Sequence, residues 1–277
     1  MSQDNTNSEK ILEAEGVVKT YRDQRSLFSK SSQVLTALDG VSLDIRKGEI
    51  FGLVGASGSG KTTLGRLVLL LESMDSGSIR FHGRETPGLK GRSLKSFRKR
   101  VQLIPQDPYQ SLNPYMSVHD FVAEPLIIHN IGKGSAGRKE LVAEALRAAG
   151  LAPPHEYFNR YPHQLSGGQR QRTAIARAMV LSPEFVIADE PTSMLDATIS
   201  FTIYKLLAEI SRDRGVTFLF ITHNLAAARF LCSRIAVINQ GQIVESGPAE
   251  SVIHNPRSDY TRTLINAQPG FSFVKNF

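Results

Sequence analysis

The spacing of apolar residues changes several times along this chain, and each change marks an element. Short, nearly unbroken apolar runs occur at Glu49 to Val54, Val101 to Pro105, Phe185 to Asp189 and Val216 to Ile221. Runs of that length predict strands buried on both faces. Ile11 to Tyr21 predicts an earlier strand, and Val34 to Ile45 alternates, with Val41, Leu43 and Ile45 on one face. Ser76 to Gly83 predicts a short strand between turns, and Ile235–Ile238 with Gln242–Glu245 a hairpin around Gln240-Gly241. Helical spacing begins at Thr63 and dominates Ser117 to Gly150, where Leu141, Ala145, Leu146 and Ala149 share a face. Gly132, Gly134 and Gly137 predict a loop before that face, and Gly150 a helix stop. Further helices are predicted over Arg170 to Leu181, Ile199 to Arg212 and Leu225 to Cys232. Strands alternating with helices predict a mainly parallel sheet covered on both faces, with a helical insertion in the middle third.

Composition narrows the class. A chain of 277 residues, 41% hydrophobic and 21% charged, is globular and holds one large or two modest domains. No apolar run reaches the length of about eighteen residues that spans a membrane. Met1 to Lys10 is polar, so it predicts disorder and no secretory signal. The one cysteine, Cys232, sits in an apolar run and predicts a buried, inert thiol. A net charge of +7 suits nucleic acid or an anionic membrane face. The basic cluster Lys90, Arg92, Lys95, Arg98, Lys99 and Arg100 has only Phe97 as an aromatic, and predicts a solvated, partly helical face. Asp23 to Ser32 predicts a polar loop insertion.

The chemistry starts at Gly55-Ala56-Ser57-Gly58-Ser59-Gly60-Lys61-Thr62, which fits G-x-x-x-x-G-K-[ST] between a strand and a helix. Its glycines let backbone N–H groups approach a phosphate, and the following helix adds its positive dipole end. Lys61 supplies a charge to the β- and γ-phosphates, and the Thr62 hydroxyl is a hard ligand for Mg²⁺. Asp189 ends a strand and is placed to hold Mg²⁺; Glu190 follows, placed to deprotonate an attacking water. Gln106 ends another strand, with an amide oxygen for Mg²⁺ or the water. A lone strand-end histidine is usually structural, but the place of His223 after these motifs assigns it to the γ-phosphate. Ser166-Gly167-Gly168-Gln169 opens a helix with a capping serine and forms a second anion-binding helix start. Two such starts with one lysine-bearing loop mean either two nucleotides or service to a second chain's nucleotide.

Leu165-Ser166-Gly167-Gly168-Gln169 matches the signature of ABC transporter ATP-binding subunits, and the resemblance covers the chain after residue 11. It implies an ABC-type P-loop α/β fold over 11–265. That fold has an N-terminal antiparallel β region and a helical subdomain over about 107–180 within a RecA-like core. It implies that ATP is held between two cassettes, the signature meeting the γ-phosphate on the partner's loop. By the same resemblance Tyr21 stacks on adenine and Ser57, Gly58, Ser59, Gly60, Lys61, Thr62 and Thr63 cradle phosphates. Gln106 is the Q-loop glutamine, Asp189 and Glu190 end the Walker B strand, Asp196 is the D-loop acid and His223 the switch histidine. Gln106 to Pro114, Arg160 to Gln164 and the tail His254 to Leu264 resemble the oligopeptide, dipeptide and nickel importer subfamily, with a tail over 250–277. Met194, Asn224 and Asp259 depart from its pattern without removing a catalytic side chain. The resemblance implies an ATPase using ATP and Mg²⁺, peripheral on the cytoplasmic membrane face. Its implied partners are a second ATPase subunit, two permease subunits and an extracytoplasmic solute-binding protein, with no nucleic acid. A non-peptide solute, a non-transport ATPase acting on nucleic acid or ribosomes, and a P-loop kinase are the alternatives; the signature opposes the last.

Overall fold

The computed structural model describes residues 9–22 and 34–267. The expected Asp23–Ser32 insertion and most of the N-terminal stretch lie outside the described residues. The chain forms two compact units, one from residues up to Gly88 and from Leu219 on, the other from Leu89 to Phe218.

The first unit opens with β1 (Lys10–Arg22), β2 (Val34–Arg46), β3 (Ile50–Val54), α1 (Lys61–Val68), β4 (Ser76–Phe81) and β5 (Arg84–Glu85). The disorder expected for residues 1–10 does not hold at Glu9 and Lys10. Lys10 pairs with Arg46 in the ladder, and the Glu9 carbonyl accepts from the Lys47 N–H at 2.9 Å. β1 pairs antiparallel with β2 and β4, and β4 with β5, giving the order β2-β1-β4-β5. Ile11, Leu12, Ala14, Val17, Leu38, Val41, Ile45, Ile79 and Phe81 are its buried side chains, while Leu43 is only half-buried. All of β3 is buried, as its unbroken apolar run requires. Each buried Val, Leu, Ile or Phe among them contributes roughly 1.5–3 kcal/mol of burial.

The second unit holds α2 (Gly91–Arg100), β6 (Val101–Ile104), α3 (Pro108–Ser111), α4 (Val118–Ile128), α5 (Gly134–Ala148), α6 (Gly167–Met179), β7 (Phe185–Asp189) and α7 (Ala197–Arg214). β6 and β7 run parallel, with Val101 opposite Phe185 and Ile104 opposite Ala188. A bidentate Arg100–Glu184 pair, at 2.5 and 2.8 Å, ties the residues just before both strands. α2 buries Phe97 and exposes Lys90, Arg92, Lys95, Arg98 and Lys99, so the basic cluster is a solvated helical face. The loop expected through Gly137 is shorter than its glycines suggest, because α5 begins at Gly134 and includes Gly137. A glycine costs a helix about 1 kcal/mol, and burial of Val142, Ala145 and Leu146 outweighs it.

The chain returns to the first unit along β8 (Thr217–Thr222), then α8 (Leu225–Leu231), β9 (Arg234–Asn239), β10 (Gln242–Pro248), α9 (Ala249–His254) and α10 (Asp259–Asn266). Strands there lie in the order β10-β9-β3-β8, with β9 parallel to β3 and antiparallel to β10. The predicted hairpin is β9–β10. Cys232 is buried, and burial pushes its thiol far above the ordinary range, as an inert thiol requires.

Candidate functional site

In the first unit β3 delivers the chain into the glycine loop, and α1 leaves it. Gly55 and Gly60 are fixed by space: a Cβ on Gly55 would lie 2.3 Å from the Ile238 carbonyl. On Gly60, at φ +106°, it would lie 2.5 Å from the Ala37 carbonyl. No side chain caps α1 and its first turn carries no acid, so its dipole end is left for an anion. Lys61 is only 5% exposed, and its ammonium donates to the carbonyls of Gly55 at 2.9 Å and Ala56 at 2.8 Å. Those bonds fold the lysine back along the loop. The Ser59 hydroxyl is buried with no hydrogen-bond partner. An unsatisfied hydroxyl in a loop of this shape fits a phosphate group. Ser57, Gly58 and Thr62 are exposed and Thr63 is half-buried.

Tyr21, next to last in β1, has its hydroxyl donating to Glu72 and the Lys19 ammonium 5.3 Å from its ring centre. Burial and then the Glu72 bond push its phenol above the ordinary value, so the ring stays neutral. Glu72 carries no motif and is invisible to sequence reasoning. His223 is exposed just after β8, and the next residue, Asn224, caps α8 by accepting from the Ala227 N–H at 3.0 Å. That cap gives the departure at Asn224 a local role.

In the second unit the adjacent ends of β6 and β7 bring Gln106 and Glu190 together. The Gln106 amide donates to the Glu190 carboxylate at 3.4 Å. Asp189, the last residue of β7, is 8% exposed. Glu190 has φ +44°, a left-handed conformation that costs a residue with a Cβ about 1–2 kcal/mol. Such strain is tolerated where the side chain must point a particular way.

The second helix start that the sequence singles out is also in this unit. Ser166 accepts from the Gln169 N–H at 3.2 Å, and the Gln169 side chain accepts from the Ser166 N–H at 3.0 Å, forming a reciprocal cap on α6. Gly167 and Gly168 lie close to their neighbours: an added Cβ would be 3.2 Å from a Leu195 methyl at the first, a tight fit, and 2.9 Å from an Ile199 methyl at the second, where something must shift. The signature therefore packs on the D-loop segment. There Asp196 caps α7 by accepting from the Ile199 N–H at 2.9 Å. The Arg170 guanidinium lies 4.1 Å from the Tyr109 ring centre and donates to the Pro162 carbonyl at 2.7 Å. Neither Arg170 nor Tyr109 stands out in the sequence as part of a site.

The sequence profile of the family described as "ABC transporter" matches residues 38–193, which hold the loop, the signature and Asp189-Glu190. The chain belongs to the ABC transporter family. This ABC chain is 44% identical to the oligopeptide transport ATP-binding protein OppF of Streptococcus mutans, over 95% of its own length and 83% of that protein's. It is 41% identical to the di/tripeptide transport ATP-binding protein DppF of Pseudomonas aeruginosa, over 94% and 80%. Its fold is that of the ABC cassettes. The dimeric post-hydrolysis structure of the ATP-binding cassette MJ0796, bound to ADP and Pi, superposes with a TM-score of 0.75 at 30% identity. It covers 86% of this chain and 98% of that one. No helix among the described residues of the ABC chain is long and apolar enough to cross a membrane.

Proposed function

We propose that this chain is the ATP-hydrolysing subunit of an ABC importer that energises uptake of peptides. One observation carries the reading: a complete lysine-bearing phosphate loop and a separately capped signature helix occur in one chain. The peptide class follows from the names of the relatives, OppF and DppF. Tyr21 takes the adenine, and the N–H groups and side chains of Ser57 to Thr63 take the phosphates. Thr62, Asp189 and Gln106 are the oxygen donors for Mg²⁺, which when bound neutralises charge on the phosphates. Among the described residues no cluster of three histidine, cysteine or acidic side chains could hold a metal by itself.

Glu190 takes the proton of the attacking water. Gln106 orients it through their hydrogen bond. His223 donates to the γ-phosphate. Ser166 to Gln169 and Asp196 serve the nucleotide of a second cassette, so hydrolysis belongs to the dimer and not to a single chain. The helical subdomain over about 107–180, set within a RecA-like core, carries the motion to two permease subunits fed by a solute-binding protein. The 250–277 tail is the importer-type segment. The chain works at the cytoplasmic face of the membrane as a peripheral subunit, without nucleic acid.

Affinity purification from detergent-solubilised membranes tests this. Permease subunits should co-purify, and the complex should hydrolyse Mg-ATP faster when its solute-loaded binding protein is added. Recovery with ribosomes or nucleic acid, and no permease, would overturn it.

A further inference from the structure

One amide of the phosphate loop is held from outside the loop. The Ala56 N–H donates to the Tyr260 hydroxyl at 3.3 Å, from a residue 204 positions further along the chain. Tyr260 lies in α10 and is half-buried. The same peptide group carries the Gly55 carbonyl, which accepts from the Lys61 ammonium at 2.9 Å. One peptide is thus engaged at both ends, by a tail side chain and by the loop's lysine. Hydrogen bonds at the two ends of an amide polarise it in the same sense and reinforce each other.

The tail helix is itself anchored. Glu245 in β10 accepts from the N–H groups of Arg257 at 2.9 Å and Ser258 at 3.1 Å, just before α10 begins. Burial pushes the Glu245 carboxyl up, but the Arg257 N–H, the Thr261 hydroxyl, the Ser258 N–H and the Arg257 charge together outweigh it and hold the group below its ordinary value. It therefore stays an anion at neutral pH. A continuous set of contacts leads from β10 through the start of α10 and Tyr260 to the loop.

We propose that Tyr260 is a positioning residue for the phosphate loop. It holds the Gly55–Ala56 peptide, and through it Lys61, in the orientation that receives a triphosphate, so docking of the tail helix and nucleotide affinity are coupled. The proposal rests on the ATP-binding reading above. Without the tyrosine hydroxyl the peptide rotates among several orientations. Only a fraction of the molecules then offers the receptive loop, and the apparent dissociation constant rises by the inverse of that fraction. One neutral hydrogen bond corresponds to roughly threefold to tenfold in that population.

The test uses the full chain, with ATP affinity read by calorimetry and hydrolysis at steady state. Tyr260→Phe should raise both the dissociation constant and the KM for ATP roughly threefold to tenfold, while kcat moves by less than about twofold. Glu245→Ala, which loosens the start of α10, should shift affinity in the same direction. The double variant should be no weaker than the weaker-binding single one, because both act through one contact. A Tyr260→Phe protein with wild-type affinity would overturn the coupling alone, as would effects that multiply in the double variant. Wild-type protein that binds no ATP would overturn the functional reading and the coupling together.

Discussion

Glu190 offers a way to separate chemistry from folding at a single position. Glu190→Gln keeps the size of the side chain and its backbone conformation. The amide oxygen can still accept from Gln106, across a contact of 3.4 Å that contributes under about 1 kcal/mol. Stability should therefore change by less than about 0.5 kcal/mol, and ATP affinity hardly at all. Loss of a general base should slow hydrolysis about 10²- to 10⁴-fold, or roughly 3–5 kcal/mol of barrier. Glu190→Gly should be as slow, yet its stability should move the other way. At φ +44° a glycine avoids the roughly 1–2 kcal/mol that a left-handed residue with a Cβ costs. Its extra freedom in the unfolded chain takes back about 0.5–1 kcal/mol. The net is a gain of up to about 1.5 kcal/mol, reduced by whatever the lost Gln106 contact contributed, in an inactive protein. Single-turnover phosphate release, size-exclusion chromatography with ATP and thermal melting read the three quantities, and Glu190→Gln should elute as an ATP-stabilised dimer. Hydrolysis by Glu190→Gln within about threefold of wild type would remove Glu190 from its role. A glycine variant that melts several degrees lower would refute the strain.

Three further substitutions, elsewhere in the chain, have definite expected outcomes. Gly60→Ala should lose both stability and ATP binding, because its Cβ would lie 2.5 Å from a backbone oxygen at φ +106°. Gly58→Ala, at φ +77° with open space around it, should cost only about 1–2 kcal/mol by denaturant melting. Burial, and then the charges of Lys95 and Lys99, hold the His129 imidazole below its ordinary value of 6.5. Below about pH 6.5 the unfolded chain takes up a proton that the folded chain resists, so stability falls as pH drops through that range. His129→Gln should flatten part of that fall in melting curves, and an unchanged slope would rule the residue out.

The elements readable from sequence are those whose causes lie within a few residues. The apolar runs of β3, β7 and β8 are strands because a buried strand needs no partner pattern beyond its own side chains, whereas β6, expected to be buried throughout, leaves Gln102 and Leu103 half-buried. The cap on α6 is local as well, since Ser166 and Gln169 are three residues apart. The glycines of the phosphate loop announce themselves by spacing, although the reason they must be glycine, the Ile238 and Ala37 carbonyls beside them, lies elsewhere in the chain. The start of α5 was hidden because local glycine signals argued for a loop and the packing of Val142 and Leu146 argued against it. The same limit applies to the chemistry. Sequence by itself determined which side chains could bind phosphate, hold a metal or take a proton. Only the tertiary structure decided that Gln106 meets Glu190 across 84 residues and that Tyr260 reaches Ala56 across 204. Such contacts depend on where the chain returns after folding, and neither partner's neighbours carry that information.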